Sequence, residues 1–539
     1  MSDTKVAALA SEHVDPVPEI EDGQAIMTTS ALAARFEHHQ HSLTRRQAIR
    51  DNVKPLLWCA YMFFVCIMWG FDSLAGGIVV AINEFRKDFG TPYEGDYVVD
   101  ANWQLGWSAA TLFGLVFGGL IAGITIDRFG RQPVLLFGYC MTIGGVFLQV
   151  FSKSLAQFFG GKLLTGIPMG IYTTAAPSYA SEMAPLAIRG SISAGMNFAI
   201  VLGQLIGYGV TRQASFYNDS RQYKVLFATQ WGFVVASLVI LPFFIESPYW
   251  LVAHGRDDKA RKNLEKLHSA DYDFEGHLAE IRENVAAQKL QSSSQGGMIE
   301  CFSRENWRRT LVATSMFFIQ NACGSSWVIG YMTYFMELAG MDAGKAFNVS
   351  VGLSGVMAVG NICGWFFVDW FGRRGTALYG SASLAFTLLM IGILSCINKT
   401  SATWGQVAFM GIWCFLYQGT MGAVAWPVSA EAATSRLRAP TQALATVMNG
   451  LSSCIWSFSL PYAVNPNIGN LQGKIAFIFA AVMVVSTVFI FFMVPETKNR
   501  TYLEIDELWA RGVPPRKFKQ TQLVAVPVES EKAGVQEVN

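Results

Sequence analysis

The stretch Gly123-Ile124-Thr125-Ile126-Asp127-Arg128-Phe129-Gly130-Arg131-Gln132 places three charged residues and a glycine between two long apolar runs. It nearly recurs in the second half of the chain as Gly364-Trp365-Phe366-Phe367-Val368-Asp369-Trp370-Phe371-Gly372-Arg373-Arg374. In both copies, Phe-Gly-Arg follows the aspartate after one intervening residue. A single copy fits any solvated turn, but one copy in each half indicates that the halves are structural repeats.

The composition indicates a membrane protein. The chain has 539 residues, of which 52% are hydrophobic and only 15% are charged, whereas about a quarter of the residues in soluble globular chains are charged. The net charge of +1 gives no indication of nucleic-acid binding. The nine cysteines show no metal-ligand spacing, so we expect neither a metal site nor a cofactor.

Apolar segments long enough to cross a bilayer recur along the chain, and each is expected to be a helix because backbone groups in lipid must be satisfied within the segment. They form two sets of six, which predicts an all-α membrane protein with two six-helix bundles. The segments are 55–82, 103–126, 133–152, 156–180, 190–211, 225–245, 309–338, 347–368, 376–397, 404–429, 440–463 and 474–494. The predicted domains are a tail (1–54), a bundle (55–246), a linker with short helices (247–308), a second bundle (309–494) and a tail (495–539).

Lysine and arginine placement predicts that both termini are cytoplasmic. The loops that are then cytoplasmic hold most of the basic residues, although Arg86, Lys87 and Lys345 lie on the opposite side. Three acceptor patterns for N-glycosylation fall in the loops assigned outside, at Asn218, Asn348 and Asn398. We expect a multi-pass protein of the plasma membrane that works as a monomer in the lipid bilayer.

Two charged residues lie inside predicted spans. Asp72 is in the middle of the first span, where a carboxylate is costly enough that function is the first hypothesis; the alternative is a structural aspartate bonded to a neighbouring helix. Lys162 lies near the outer end of the fourth span. It either extends toward the membrane surface or pairs with Asp72. A carboxylate held between desolvation and a cation is suited to taking up and releasing a proton.

Acids and bases also repeat at the cytoplasmic helix ends of both halves. Each half places a glutamate seven residues before an arginine, and a further glutamate follows the last helix of each half. Such networks lock one conformation and release it in another, although positive charges there also serve topology alone. The predicted gate residues are Asp127, Arg128, Arg131, Glu182, Arg189, Glu246, Asp369, Arg373, Glu431 and Arg438.

These motifs resemble one family. The paired Asp-Arg-Phe-Gly-Arg and Asp-Trp-Phe-Gly-Arg-Arg loops, Glu246-Ser247-Pro248 and Pro495-Glu496-Thr497-Lys498-Asn499-Arg500-Thr501 together look like the sugar porter family of the major facilitator superfamily. The resemblance covers about residues 55–510. Within the family, the phrases Gly161 to Pro168 and Ala180 to Leu186 are most similar to fungal α-glucoside (maltose-type) permeases.

The resemblance implies a sugar site between the halves. The positions that match family site residues, or replace them, are Gln204, Gln320, Asn321, Ser326, Trp426 and Asn449. Amides suit hydroxyl groups because they both donate and accept hydrogen bonds, although any one amide can instead join two helices. Gly450 and Ser453 stand where hexose carriers often have larger residues, which favours a disaccharide or a different polyol.

The resemblance also implies that Asp72 couples proton movement to transport, with Lys162 at a position where arginine is usual. The resulting hypothesis is proton-driven uptake of a sugar, most like an α-glucoside. Alternatives are a carrier of a hexose, a polyol, quinate or a natural product, and a transporter-like nutrient sensor. An enzyme is disfavoured because the sequence has no nucleotide-binding glycine loop, metal cluster or nucleophile constellation.

Overall fold

A computed structural model describes most of the chain. The residues it describes are 19–21, 24–26, 32–33, 35–36, 40, 43–93, 96–185, 188–269, 272–294, 298–338, 340–397, 399–434, 437–498, 500 and 502–521. Two short hairpins precede and follow the first long helix: β1 (Glu19–Glu21) pairs antiparallel with β2 (Gln24–Ile26), and β3 (Thr91–Tyr93) pairs antiparallel with β4 (Asp96–Val98).

All other regular structure in the described residues is helical. The first half contains α1 (Arg45–Asp51), α2 (Val53–Ile78), α3 (Asn83–Phe89), α4 (Ala101–Phe129), α5 (Arg131–Val150), α6 (Leu155–Met183), α7 (Arg189–Ala214) and α8 (Arg221–Ile240). The linker contains α9 (Pro248–Ala253), α10 (Asp257–Leu267) and α11 (Phe274–Ser294). The second half contains α12 (Trp307–Ala322), α13 (Ser325–Leu338), α14 (Ala343–Ser395), α15 (Thr400–Gly419), α16 (Met421–Ala432), α17 (Arg438–Val464), α18 (Ala476–Met493) and α19 (Tyr502–Ala510).

Eight helices of the described residues are long and apolar enough to cross a membrane. One of them, α14, has 53 residues, about 80 Å at 1.5 Å per residue. That is more than twice the hydrocarbon thickness, so α14 crosses twice and reverses at Gly372, whose φ of 79° breaks the helix. Helices α6 and α7 and the pair α12–α13 coincide with the remaining predicted spans. The helices are therefore consistent with twelve crossings.

Two predicted spans are each divided between two helices in the structure. The segment 309–338 is divided into α12 and α13 at Cys323 and Gly324, where Gly324 has a φ of 88°. The segment 404–429 is divided into α15 and α16 at Thr420. Apolar periodicity does not reveal such breaks, because the residues on both sides remain hydrophobic. A discontinuous helix matters here because transporter sites are often built from helices of this kind.

Glycines allow the helices of the first half to lie close together. A Cβ added at Gly166 would lie 2.7 Å from the backbone oxygen of Thr111, and one at Gly114 would lie 2.8 Å from that of Leu163. Helices α4 and α6 are therefore in backbone contact, as expected where small residues line a helix interface in lipid. This contact fixes α6, the helix that carries Lys162.

The linker helices form a small domain of their own beside the first bundle. His268 stacks on Tyr272 with ring centroids 3.8 Å apart, and the Tyr272 hydroxyl bonds His277 Nδ1 at 3.0 Å. Phe36 of the N-terminal segment stacks on His277 at 4.8 Å. Burial lowers the pKa of His268 to about 4 and that of His277 to about 3. Both imidazoles are therefore neutral in the folded linker.

These two histidines predict a pH-dependent linker. Their pKa values are near 6.5 when exposed, so stability is fully present above pH 6.5 and falls as the unfolded state takes up protons between pH 6.5 and 4. Each contributes a slope of up to about 1.4 kcal/mol per pH unit. Hydrogen-exchange protection of α11, corrected for intrinsic rates, should fall from pH 7 to 5, and His277→Phe should remove about half of the change.

The same substitution at the exposed His254 serves as the control. His254→Phe should keep the full pH dependence. If the protection of α11 falls with pH equally in His277→Phe and in the unmodified chain, His277 is not a source of the pH dependence.

Candidate functional site

A buried ion pair lies in the core of the first bundle. Lys162 Nζ of α6 is 3.2 Å from Asp72 Oδ1 of α2, and the two side chains are at most 1% exposed. Gln230 of α8 donates a hydrogen bond to the same oxygen at 3.0 Å. Phe227 places its ring 5.3 Å from the ammonium. Lys162 therefore pairs with Asp72, and the alternative in which it extends to the membrane surface is wrong.

The second carboxylate oxygen of Asp72 is unpaired. Asp72 Oδ2 is buried and has no hydrogen-bond partner among the described residues. A buried acceptor without a partner is costly. Asp72 thus has a cation and an amide donor on one carboxylate oxygen and no partner among the described residues on the other.

The break between α12 and α13 is stabilised by specific contacts. Trp413 of α15 donates its indole N–H to the backbone oxygen of Cys323 at 3.2 Å. Ser325 donates its hydroxyl to the backbone oxygen of Gln320 at 3.4 Å. Carbonyls released by the break are therefore satisfied by side chains, which allows irregular backbone inside the bundle. The break places Gln320 and Asn321 at the end of α12.

Two predicted site amides lie in direct contact. Asn321 donates its amide to Asn449 Oδ1 of α17 at 2.7 Å and to Ser452 Oγ at 3.0 Å. Trp426 of α16 is 52% exposed and packs edge-on against Phe317, one turn before Asn321, at 4.7 Å. The three helices α12, α16 and α17 therefore present two amides and an accessible indole together.

The other predicted site residues have different surroundings. Gln204 of α7 is 9% exposed, and its Oε1 has no partner among the described residues. Gln320 has its side chain beside the Tyr417 hydroxyl. Ser326 is partly buried in the first turn of α13. A Cβ at Gly450 would meet nothing within 4 Å. Gln204 thus has a buried acceptor without a partner among the described residues, and Gly450 lies beside open space.

The inner turn of the first half, between α4 and α5, is held by hydrogen bonds and an ion pair. We call inner the face of the termini and linker, and outer the opposite face. Gly130 has a φ of 89°, and Glu246 Oε2 accepts hydrogen bonds from the backbone of Arg131 at 2.7 Å and of Gln132 at 3.3 Å. The carboxylate therefore caps α5, whose N-terminus favours an anion. The Arg131 guanidinium binds Glu182.

The second half repeats this turn. Gly372 takes the place of Gly130, and Glu496 Oε1 accepts from the backbone of Arg373 at 2.9 Å. The Arg373 guanidinium pairs with Glu431 at 3.1 Å, and Thr497 donates to the other oxygen of Glu431. The recurrence seen in the sequence is therefore also a recurrence of hydrogen bonds.

The predicted gate residues for which the structure describes an ion pair are joined within one half, Arg131 to Glu182 and Arg373 to Glu431. Asp127 and Arg128 are exposed at the inner end of α4, and Asp369 is exposed at the corresponding place in α14. The side chains of Arg189 and Arg438 lie outside the described residues, although each begins a helix. Among the described residues, no ion pair joins the two halves at the inner face.

The outer face is closed by an ion pair that sequence reasoning missed. Arg86 of α3 pairs with Glu337 at the end of α13 at 2.9 Å, and their side chains are 6% and 10% exposed. Arg86 also donates to the backbone oxygen of Val80 at 3.1 Å and lies 3.7 Å from Asp96. We name this cross-half pair the outer lock. The sequence did contain a signal for this pair, because Arg86 is a basic residue in a loop assigned outside and so departs from the positive-inside pattern.

Further contacts join the halves at the same face. Gln104 donates to Asn465 at 3.1 Å, and both side chains are fully buried. Tyr331 donates to Gln104 at 3.4 Å, and Tyr462 donates to Asn102 at 2.7 Å. These contacts join the two halves and close the structure at its outer face.

The glycosylation acceptors differ in accessibility. Asn218 is exposed in the turn after α7. Asn348 is exposed but lies in the first turns of α14, where its side-chain oxygen accepts from Arg212. Asn398 lies outside the described residues. Asn218 is therefore the most accessible predicted acceptor in the described part of the chain.

Known proteins resemble this chain along most of its length. A family model described as "Sugar (and other) transporter" matches residues 58–509. The general alpha-glucoside permease of Saccharomyces cerevisiae is 30% identical over 503 residues, 92% of this chain and 82% of that protein. A maltose permease of the same yeast is 29% identical over 520 residues, 94% of this chain and 84% of that protein.

Solved structures share the fold. The inward-open xylose transporter XylE from E. coli superposes with a TM-score of 0.69 at 20% identity, over 84% of this chain and 100% of that one. The XylE proton:xylose symporter bound to 6-bromo-6-deoxy-D-glucose gives a TM-score of 0.65 at 19% identity, over 85% and 100%. The chain therefore belongs to the sugar (and other) transporter family and is a multi-pass, all-α membrane protein of the major facilitator fold.

Proposed function

We propose that this protein takes up an α-linked glucoside such as maltose together with a proton, by alternating access. The observation that carries the proposal is the buried Asp72–Lys162 pair with its unpaired carboxylate oxygen. The names of the alpha-glucoside and maltose relatives support the cargo, and a proton symporter among the structures of this fold supports the coupling.

The proton step follows from the geometry of the pair. With the outer face open, a proton from outside adds to the unpaired Oδ2 of Asp72, and the carboxyl group becomes neutral. The attraction to Lys162 then falls, and the link between α2 and α6 weakens. With the inner face open, the proton leaves and the ion pair forms again, as the pair stands in this structure. Because ion pairs are stronger in a low-dielectric core, each protonation change shifts the conformational equilibrium.

The cargo is assigned to the polar groups between the halves. Gln204 supplies an unpaired acceptor, while Asn321 and Asn449 supply amides on the other side. Trp426 presents an indole against which a sugar ring can pack. The space beside Gly450 favours a second ring. Gln320 and Ser326 complete the proposed site at the break between α12 and α13.

Opposing locks determine which face is open. The outer lock closes the outer face here, and we assign this structure to the inward-facing state on that ground. We assign the opposite role to the ten predicted gate residues: in the outward-facing state, their inner-face charges hold the two halves together. Asp127, Arg128 and Asp369 are exposed here and so remain available for contacts across the halves.

The topology and cellular setting complete the proposal. Both termini and the linker 247–308 face the cytoplasm, the bundles are 55–246 and 309–494, and the protein resides in the plasma membrane. The basic residues of the inner loops support this orientation. Extensive contacts between the halves within a single chain favour a functional monomer. Use of Asn218 for glycosylation belongs to the same proposal.

Substitution of Asp72 tests the proton step. Asp72→Asn should abolish accumulation of labelled maltose against a gradient while leaving exchange, because the variant side chain no longer changes its charge. Counterflow and net uptake in a transporter-null yeast measure the two activities. Asp219→Asn, in the exposed outer turn, is the matched control and should accumulate normally.

Folding must be separated from coupling in that experiment. Removing one partner of a buried pair costs about 3–5 kcal/mol, so Asp72→Asn is also combined with Lys162→Gln. Normal surface expression together with full accumulation by either variant would refute the proton role.

Breaking the outer lock should open the outer face. Glu337→Gln removes the nearest anion from the buried Arg86 and leaves only Asp96 at 3.7 Å, at a cost of up to about 3–5 kcal/mol to the closed state. Labelling of a Gly450→Cys reporter by an impermeant thiol reagent from outside should therefore rise at least about tenfold. A tenfold rise corresponds to a shift of only ~1.4 kcal/mol in the conformational equilibrium.

Glu84→Gln is the matched control for the outer lock. Glu84 lies on the same helix as Arg86, and its ion pair among the described residues is with Lys87, three residues away on that helix. Labelling should stay at the unmodified level. An unchanged labelling rate in Glu337→Gln, at normal surface expression, would show that this pair does not hold the outer face closed.

Filling the open space tests the cargo. Gly450→Trp should weaken maltose transport more than glucose transport, because the added indole occupies the room for a second ring. Maltose should also compete better than glucose in the unmodified protein. The margin is modest, since one or two lost sugar hydrogen bonds are worth roughly 1–3 kcal/mol each. If glucose competes better than maltose in the unmodified protein, the cargo is more consistent with a hexose or a non-sugar molecule. The same follows if Gly450→Trp leaves the ratio of maltose to glucose transport unchanged.

A further inference from the structure

A second cleft lies away from the proposed central site. Its volume is about 470 Å³, within the range of small-ligand sites. The cleft is lined by the three outer connections of the second half: the residues after α13, those between α14 and α15, and those that precede α18. None of its lining residues belongs to the central site.

Gln406 gives the cleft an unused acceptor. This residue of α15 is 5% exposed, and its Oε1 has no hydrogen-bond partner among the described residues. A Cβ at Gly473 would lie 3.2 Å from that oxygen. The glycine therefore leaves the acceptor uncovered on that side. Because buried polar groups in native proteins are rarely left unpaired, we expect a donor from outside the chain, water or a bound ligand, to pair with this oxygen.

The other groups of the cleft favour a saccharide. Trp404 is 50% exposed, two residues before Gln406, and presents an indole to which a sugar ring can pack. Exposed Lys345 and Lys399 at the rim add donors for ring and hydroxyl oxygens. Interfacial position alone accounts for an exposed tryptophan, but not for an unpaired amide oxygen in a residue that lines the same cleft.

The backbone of the same cleft adopts an uncommon conformation. Asn470 has a φ of 44° and Gln472 a φ of 46°, in a region that residues other than glycine seldom occupy. Gln472 donates to the Asn470 side chain at 3.1 Å, which supports the turn. Conformations held in this way cluster at ligand-binding segments. Gln472 and Gly473 both line the cleft.

We propose that this cleft is a second saccharide-binding site on the outer face, separate from the transport site. The ligand class rests on the proposed function, while the location rests on the cleft itself. Leu338, which follows Glu337 directly, also lines the cleft. A saccharide bound there therefore contacts the segment that carries the outer lock, and occupancy is positioned to affect outer-face opening.

Equilibrium binding of labelled maltose to the purified full-length chain in lipid nanodiscs tests the site. The unmodified chain should bind two maltose molecules, and Trp404→Ala and Gln406→Leu should each bind one. Trp307→Ala, an exposed tryptophan of α12 far along the chain from the cleft, should still bind two. A photoreactive maltose should cross-link to residues 399–410 of the unmodified chain, and excess maltose should suppress the cross-link.

The outcomes distinguish this inference from the proposed function. One molecule bound to the unmodified chain, or two bound to both variants, would overturn the outer site and leave maltose transport standing. Cross-linking confined to the central helices would do the same. Absence of maltose binding and of maltose uptake would overturn both proposals.

Discussion

The interaction between Asp72 and Lys162 constrains the rest of the first bundle. Two opposite charges in a lipid-embedded core are tolerated only when they pair and their remaining polar atoms are satisfied. Here Gln230 supplies the extra hydrogen bond, and three helices, α2, α6 and α8, must meet at one point. The glycines that bring α4 against α6 fix the position of Lys162. The unpaired oxygen of Asp72 is one place where this requirement is left open, and we propose that a proton acts there.

The repeated inner turns perform a second task with the same chemistry. In each half, a glycine with positive φ reverses the chain, a glutamate from beyond the last helix caps the next helix, and an arginine pairs with a second glutamate. Each half is thus held as a rigid unit at its inner end. Rigid halves are what a rocking motion requires, because the movement must be concentrated at their interface. At the outer face that interface is held by the pair of Arg86 and Glu337.

The sequence was sufficient for features that depend on local pattern. The repeat, the crossing segments and the membrane-embedded Asp72 follow from hydropathy and from the cost of charge in lipid. Contacts between distant segments were only partly predictable. Pairing of Lys162 with Asp72 was one of two alternatives, because helix orientation about its own axis is set by packing.

The breaks at Gly324 and Thr420 were missed because apolar residues continue through them. The outer lock was missed for a different reason: its two members are 251 residues apart, and Arg86 reads in sequence only as an exception to the charge rule. The roles of the central amides and of the inner-face gate remain predictions, since their contacts change with conformation.

The most direct test of coupling is the movement of protons with cargo. The purified protein is reconstituted in lightly buffered liposomes without a membrane potential, and external pH is recorded when maltose is added. Coupled uptake through Asp72 predicts that the external solution becomes more alkaline, with about one proton entering per maltose. Maltose entry at the normal rate without any change in external pH would contradict the coupling of protons to transport.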